Sequence, residues 1–338
     1  MSNRVWNVCM VGPGWVAGAY LACFRKRDDV RVTHVVGATK QEAAAFVAAQ
    51  GLEAQAHGNL AEALADRSVD IVGVYTPHNL HAEQAIAAAR AGKHVIIEKP
   101  ICLNREELAA LRRAVREAGV KTITGFVLRW NPMVQMIRRA VADGVIGEIL
   151  HAEADYLHGK IGKSYTKPWH TRRATAGTGL LLAGCHAVDA LRYVVGRPAR
   201  EVFAYSTGRT DAFDYPSTEV LLVRFDDGVV GKVASNLECR MPYVFNLEVF
   251  GTKGAYRNNQ LACDLLEGQT GFATIPTIQP DSADVLHHPF EGEVAHFLEC
   301  LNRDERPMPD VEDAAETMEI CFAAEESART GRPVRISV

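Results

Sequence analysis

Val8-Cys9-Met10-Val11-Gly12-Pro13-Gly14-Trp15-Val16-Ala17-Gly18 decides the fold. The apolar run Val8 to Val11 suits a strand buried on both faces of a parallel sheet. It breaks at Gly12, and a helix follows that ends near the basic cluster Arg25-Lys26-Arg27. The spacing Gly12-x-Gly14-x-x-Ala17 has a physical reason at each place. The first glycine makes the tight turn, the second lets backbone approach a pyrophosphate, and a small third residue lets the helix pack on the strand. The helix N–H groups then face an anion, with Trp15 and Val16 in the first turn. The basic cluster at the far end suits the helix dipole and needs no ligand.

Outward from this stretch the β-α alternation continues to about residue 125. Val30 to Val36 is the second strand, and its end reads Gly37-Ala38-Thr39-Lys40, with no acid for a ribose 2′-hydroxyl. Thr39-x-x-Glu42 is a capping box. A helix start carrying Thr39 and Lys40 also suits a 2′-phosphate, and a solvated Lys40 fits equally. Asp70 to Tyr75 is the next buried strand, ending in Thr76-Pro77-His78-Asn79-Leu80-His81. These are turn and cap residues or a cofactor lining. Lys93-His94-Val95-Ile96-Ile97 then runs into Glu98-Lys99-Pro100. Glu98 can accept from a ribose hydroxyl, and Lys99 can point an ammonium at a reacting oxygen. The bland alternative is a lysine that only solvates the sheet edge.

After Gly125 the texture changes. Asn131-Pro132 opens a helix, and alternating segments follow: 148–157, 202–207, 220–225, 229–237 and 244–250. Asp227-Gly228 and Thr252-Lys253-Gly254 are hairpin turns, which implies a mostly antiparallel sheet. One apolar helix interrupts them, about Leu180 to Val195, and the last helix runs about Val311 to Arg329. The fold class is an α/β Rossmann domain with a parallel sheet plus an α+β domain with an open, mostly antiparallel sheet. The expected segments are 1–125 for the dinucleotide, 126–309 for substrate and oligomerisation, and 310–338 as C-terminal helix and tail.

The formal charge of −4 argues against a nucleic-acid binder, and no apolar run approaches the ~20 residues of a membrane span. No signal peptide is expected, since Met1 leads almost directly into a strand. The eight cysteines show neither Cys-x-x-Cys nor zinc spacing, so they read as reduced thiols of a cytoplasmic protein with no metal.

Together these pieces resemble the Gfo/Idh/MocA family, the glucose–fructose oxidoreductase and inositol dehydrogenase group. The resemblance runs from Gly12-x-Gly14-x-x-Ala17 through Thr76-Pro77 with His81 to Gly92-Lys93-His94-Val95 and Glu98-Lys99-Pro100. It continues in Arg129 with Pro132, Gly144-x-x-Gly147-Glu148 and Gly184-x-His186-x-x-Asp189. It closes with Glu326-Ser327-Ala328 and Thr330-Gly331-Arg332-Pro333-Val334. It implies a nicotinamide cofactor, NAD or NADP with a lean to NADP, and a homo-oligomer (dimer or tetramer) formed through the open sheet. Glu98 would hold ribose, Lys99 would contact cofactor and substrate hydroxyl, and His186 would be the acid/base residue. Gly12, Gly14, Trp15, Val16, Thr39, Lys40, Thr76, Pro77, Asn79, His81, Arg129 and Trp169 complete the expected cofactor surroundings.

Two departures stand out. The family often has Asp four residues before the histidine, where this chain has Leu182, and Trp-Arg where it has Trp169-His170. Leu182 cannot hold an imidazole in one tautomer, so His170 is the candidate relay. Asp189, one turn beyond His186, is expected to orient or cap locally. The stretch with Tyr156, His158, Lys160 and Tyr165 reads as a substrate loop, with Trp169 and Cys185 as further substrate contacts. His287-His288 shows no metal spacing. The expected activity is interconversion of a secondary alcohol and a ketone on a sugar, glycoside or cyclitol. A glycosidase acting by transient oxidation, or a non-catalytic sugar or cofactor sensor, remains open at this level.

Overall fold

The computed structural model describes residues 4–158, 167–209, 211–277 and 288–336. Two units emerge: residues 1–126 with 290–315, and residues 127–289 with 316–338. Chain order alone puts 126–309 in one segment and 310–338 in another, whereas 290–315, drawn from both, group with the first unit.

The first unit alternates as the sequence pattern predicts: β1 (Trp6–Val11), α1 (Trp15–Phe24), β2 (Val30–Val36), α2 (Lys40–Ala49), β3 (Gln55–His57), α3 (Leu60–Leu64), β4 (Ile71–Val74), α4 (His81–Arg90), β5 (His94–Ile97), α5 (Arg105–Ala118) and β6 (Thr122–Thr124). The strands form one sheet in the order β3-β2-β1-β4-β5-β6, with every pairing parallel. Val8 to Val11, Ile71, Val72, Val74 and Val95 to Ile97 are buried, as helices on both faces require. The order reverses between β1 and β4, and such a switch point opens a crevice at the strands' carboxyl ends.

The second unit begins with α6 (Pro132–Ala142), whose N-cap Asn131 accepts from the Met133 N–H at 2.9 Å. β7 (Ile149–Leu157), α7 (Arg173–Ala176), α8 (Cys185–Val195), β8 (Ala199–Thr207), β9 (Thr218–Phe225), β10 (Val230–Asn236), β11 (Val244–Gly251), β12 (Gly254–Arg257), β13 (Gln260–Cys263) and β14 (Ala273–Thr274) follow. Next come α9 (Phe290–Arg303) in the first unit, α10 (Val311–Thr330), and β15 (Val334–Arg335) in the second. The sheet order is β14-β13-β12-β11-β7-β10-β9-β8-β15. Asp227 and Gly228, at φ 61° and 82°, make the expected hairpin between β9 and β10. The sheet is not wholly antiparallel, because β10 pairs with β7 in parallel, setting Tyr156 opposite Ser235.

The expected regular helix from Leu180 opens as a π-helical turn, Leu180–Gly184, before α8 begins. Such turns are frequent at functional sites. By length and composition the stretch Arg173–Val195 could cross a membrane, but 94% of its apolar window is buried within the protein. It is a core helix, and its apolar character serves packing against the inner face of the sheet.

Candidate active site

In the first unit the crevice is built at the ends of β1, β4 and β5. Gly12 has φ +88°, and a Cβ there would lie 2.8 Å from the backbone N of Thr76. Only glycine lets the β1 turn pass this close to the end of β4. Gly14 precedes α1, whose first turn holds no acidic residue, so the helix start is electrostatically open to phosphate. Trp15 is half exposed and meets Phe290 edge-on, with ring centroids 6.3 Å apart.

Glu98 is buried, and its Oε2 accepts from the Lys99 N–H at 3.2 Å. Its Oε1 is buried with no partner within the protein. A lone buried acceptor is costly unless a ligand donor completes it, and a ribose hydroxyl has the right chemistry. Burial pushes the Glu98 carboxyl up to about 7, against the opposing pull of Lys99 and of a hydrogen bond from Tyr20. These features fit a dinucleotide.

His81 lies differently from the cofactor contact suggested by sequence. It is buried, with Nδ1 2.8 Å from the Pro100 carbonyl oxygen and Nε2 2.7 Å from that of Thr76. Both ring nitrogens face backbone, so the ring ties the β4 loop to the β5 loop. Thr76 donates its hydroxyl to Gln84 at 2.7 Å, while Pro77 and Asn79 remain half-buried at the same edge. At the end of β2, Thr39 accepts from the Glu42 N–H at 3.1 Å, and Glu42 accepts from the Ala38 N–H at 2.8 Å. Thr39 thus caps α2, while Glu42 reaches back past it to Ala38 rather than to the Thr39 N–H of a full capping box, and Thr39 and Lys40 are exposed.

In the second unit His186, on α8, stacks against two rings. Tyr156 of β7 and His288 each lie 5.4 Å from it between centroids, both at an interplanar angle of 27°. Tyr243 stands edge-on to Tyr156 at 5.1 Å, and His158 is 5.2 Å from Tyr243. All five side chains are buried. His288 and Tyr243 carried no recognisable signal in the sequence, because each is contributed by a separate loop. Among the described residues no group of three or more His, Cys, Asp or Glu side chains has a metal-holding arrangement.

Arg129 and Asp189 also lie differently from expectation. Arg129 is buried and donates twice to the Asp189 carboxylate, at 2.8 and 2.7 Å, while Thr317 donates to the same group at 2.9 Å. Asp189 is therefore one half of a buried ion pair rather than a local cap. Cys185 donates its thiol to the Leu181 carbonyl at 3.2 Å inside the helix. Leu182 is buried beside it. His170 sits in the turn Pro168–Thr171, where its Nδ1 accepts from the Lys167 N–H at 3.3 Å and its ring meets Trp169 at 4.0 Å. Its carbonyl accepts from the Tyr215 hydroxyl. Lys160, Tyr165 and His287 lie outside the described residues.

Residues 6–126 match the GFO/IDH/MocA oxidoreductase family with NAD-binding Rossmann fold, and residues 134–257 match the GFO/IDH/MocA C-terminal domain. The chain belongs to the Gfo/Idh/MocA family of oxidoreductases. Among relatives of this family, the scyllo-inositol 2-dehydrogenase (NAD(+)) of Bacillus subtilis is 27% identical over 281 residues, 82% of this chain and 80% of that one. Levoglucosan dehydrogenase of Pseudarthrobacter phenanthrenivorans is 28% identical over 301 residues, 79% of this chain and 76% of its own. An NAD binding oxidoreductase from Klebsiella pneumoniae shares the fold over the full length of both chains, with TM-score 0.87 at 24% identity. Against this Gfo/Idh/MocA background, the ring contacts of His186 with Tyr156 and His288 are the feature of the second unit that the sequence motifs do not convey.

Proposed function

We propose that this Gfo/Idh/MocA protein is an NAD(P)-dependent dehydrogenase or reductase that interconverts a secondary alcohol and a ketone on a sugar, glycoside or cyclitol. The observation that carries the reading is the buried Oε1 of Glu98, which has no protein partner, next to Lys99 at the carboxyl end of β5. When bound, the nicotinamide would supply the hydride chemistry. Gly12 and Gly14 admit the pyrophosphate, Glu98 accepts from ribose, and Lys99 faces the substrate oxygen. His186 takes or returns the hydroxyl proton, with its ring orientation set by Tyr156 and His288 rather than by a carboxylate at position 182. His158 and Tyr156 belong to the substrate side. Inositol and levoglucosan, named for two relatives, are polyols rich in secondary hydroxyls, which supports the substrate class.

The test is a panel of cyclitols, free sugars and anhydrosugars with NAD+ and with NADP+, following absorbance of the reduced nicotinamide. Turnover is expected on at least one polyol. Release of an aglycone from glycosides without net cofactor reduction would replace this reading with a transient-oxidation glycosidase. Glu98→Gln should weaken binding of either dinucleotide.

We also propose a cytoplasmic homo-oligomer that assembles through the outer face of the second sheet. Tyr205, Val220 and Leu222 are 68%, 44% and 49% exposed, and they cluster on β8 and β9 with Val230 of β10 beside them. Toward β7 the same face turns polar with Glu153, Asp155 and Lys232. An apolar patch with a charged rim has the composition of an interface. Val220→Asp should lower the mass measured by light scattering to that of one chain, and an unchanged mass would remove this face from consideration.

A further inference from the structure

Beneath Glu98 lies a group of buried polar side chains that the proposed reaction does not use. Glu293, on α9, is wholly buried, and the Tyr20 hydroxyl of α1 lies 2.7 Å from its Oε1. The other carboxyl oxygen of Glu293 is buried with no partner within the protein, as is the Tyr75 hydroxyl. Tyr20 and Tyr75 are in ring contact at 4.7 Å. Electrostatically, Glu98 faces Lys99 and Tyr20, and Glu293 faces Glu98 and Tyr20. Tyr75 faces both carboxyls together with the thiols of Cys9 and Cys23. Gly125 makes room for this arrangement, since a Cβ there would lie 2.6 Å from Glu98 Oε1.

Two carboxyls that share one hydroxyl in a dry pocket cannot both ionise cheaply. Lys99 supplies one positive charge against them. The balanced state is therefore one carboxylate and one neutral acid. A hydroxyl can order such a pair in one direction. The neutral acid donates to the tyrosine oxygen, and the tyrosine O–H then donates to the carboxylate. We propose that Glu293, acting through the Tyr20 hydroxyl, is a positioning residue for Glu98: the neutral acid at Glu293 keeps the single negative charge of the pair on Glu98, where ligand donors meet it. This rests on the reading of Glu98 as a cofactor ligand. Dinucleotide binding then completes the ionisation of Glu98 and releases a proton, because donors to a carboxylate favour its charged form.

The burial of both groups supports this. It lifts the Glu98 carboxyl to about 7 and the Glu293 carboxyl well above the carboxylate range. The sign for stability follows. A carboxyl raised in the folded state stabilises most below its unfolded value, and that contribution is lost as pH rises through the folded value. For Glu98 the loss runs up through about 7, and for Glu293, raised in the same direction, the loss also comes as pH rises.

Two measurements test the relay. In the ligand-free protein, thermal unfolding from pH 5 to 10 should show that Glu293→Gln loses less stability than wild type as pH rises, since glutamine does not ionise. In calorimetric titration with NAD+ in buffers of different ionisation enthalpy, wild type should release a fraction of a proton around neutral pH. Tyr20→Phe keeps the ring contacts and removes the hydroxyl, so its release should move up by roughly one pH unit, with up to about tenfold weaker binding on the acid side. Parallel stability curves for Glu293→Gln and wild type overturn the relay. So does an unmoved release in Tyr20→Phe when Glu98→Gln abolishes it. If Glu98→Gln leaves dinucleotide binding unchanged, the cofactor reading of Glu98 falls, and the ligand-free curves alone decide the relay.

Discussion

The polar group around Glu98 in the first unit and the one around His186 in the second differ in chemistry. In the first, Glu98, Glu293, Tyr20 and Tyr75 form a carboxyl–phenol group, while in the second, His158, His186 and His288 are interleaved with Tyr156 and Tyr243. Carboxyls in a dry site accept donors and suit the hydroxyls of a bound ligand. Imidazoles change charge near neutral pH and suit a proton in transit. On the proposed reading, binding belongs to one set and proton movement to the other. Substitutions in the two sets should then separate into changes of affinity and changes of turnover.

Lys99 is the exception that most directly tests this division, because it stands in the carboxyl set but is proposed to meet the substrate oxygen. Lys99→Ala should lower kcat by roughly 10²–10⁴-fold, with unfolding close to that of wild type, since its side chain is only half-buried. Turnover near wild type at saturating cofactor and substrate would move the reaction chemistry wholly into the imidazole set.

His186→Ala should cost kcat by a similar factor with little change in dinucleotide affinity. His288→Phe keeps a planar ring against His186 and removes two nitrogens. A smaller loss of kcat is expected there, with the shape of the pH–rate profile altered. Should His288→Phe leave that profile unchanged, His288 serves packing alone. His170→Ala is expected to do less than either, because its Nδ1 is engaged in capping the turn at Lys167. Full activity in His186→Ala with loss in His170→Ala would exchange their roles.

The same contrast explains what was legible before the structure. The edge of the first sheet could be read because its residues are consecutive: Gly12 to Val16 leave β1, and Glu98 to Pro100 leave β5. Each is announced by the break from an apolar run. The carboxyl partner of Glu98 could not be read. Glu293 lies 195 positions downstream in α9, among residues of ordinary amphipathic helix pattern. The imidazole set failed for a related reason. His186 shows only by its motif, and His288 reaches it through long-range packing that leaves no spacing rule. Arg129 looks like a ligand contact in the sequence because of the family resemblance, and His81 because it stands near a strand end. Here each is spent inside its own unit, on Asp189 and on two carbonyl oxygens.

The smallest effect concerns the 2′ end of the cofactor, where the first unit's preference for donors is locally reversed. Lys40 favours a 2′-phosphate, while the Glu42 carboxylate, held by the Ala38 N–H at 2.8 Å, opposes one. Lys40 is exposed, so water and salt screen it, and an exposed ion pair is worth about 0.2–1 kcal/mol. Lys40→Ala should therefore weaken NADP+ only a few-fold and leave NAD+ unchanged. Glu42→Gln keeps a side chain that can accept from the Ala38 N–H and removes the repulsion. It should shift the NADP+/NAD+ affinity ratio toward NADP+ by a similar factor, most clearly at low ionic strength. Titration of both dinucleotides with wild type and the two variants, at low and at physiological salt, makes the comparison. If NADP+ binds wild type and Lys40→Ala equally at low salt, Lys40 is a solvated helix residue, and Thr39 serves only as the cap of α2.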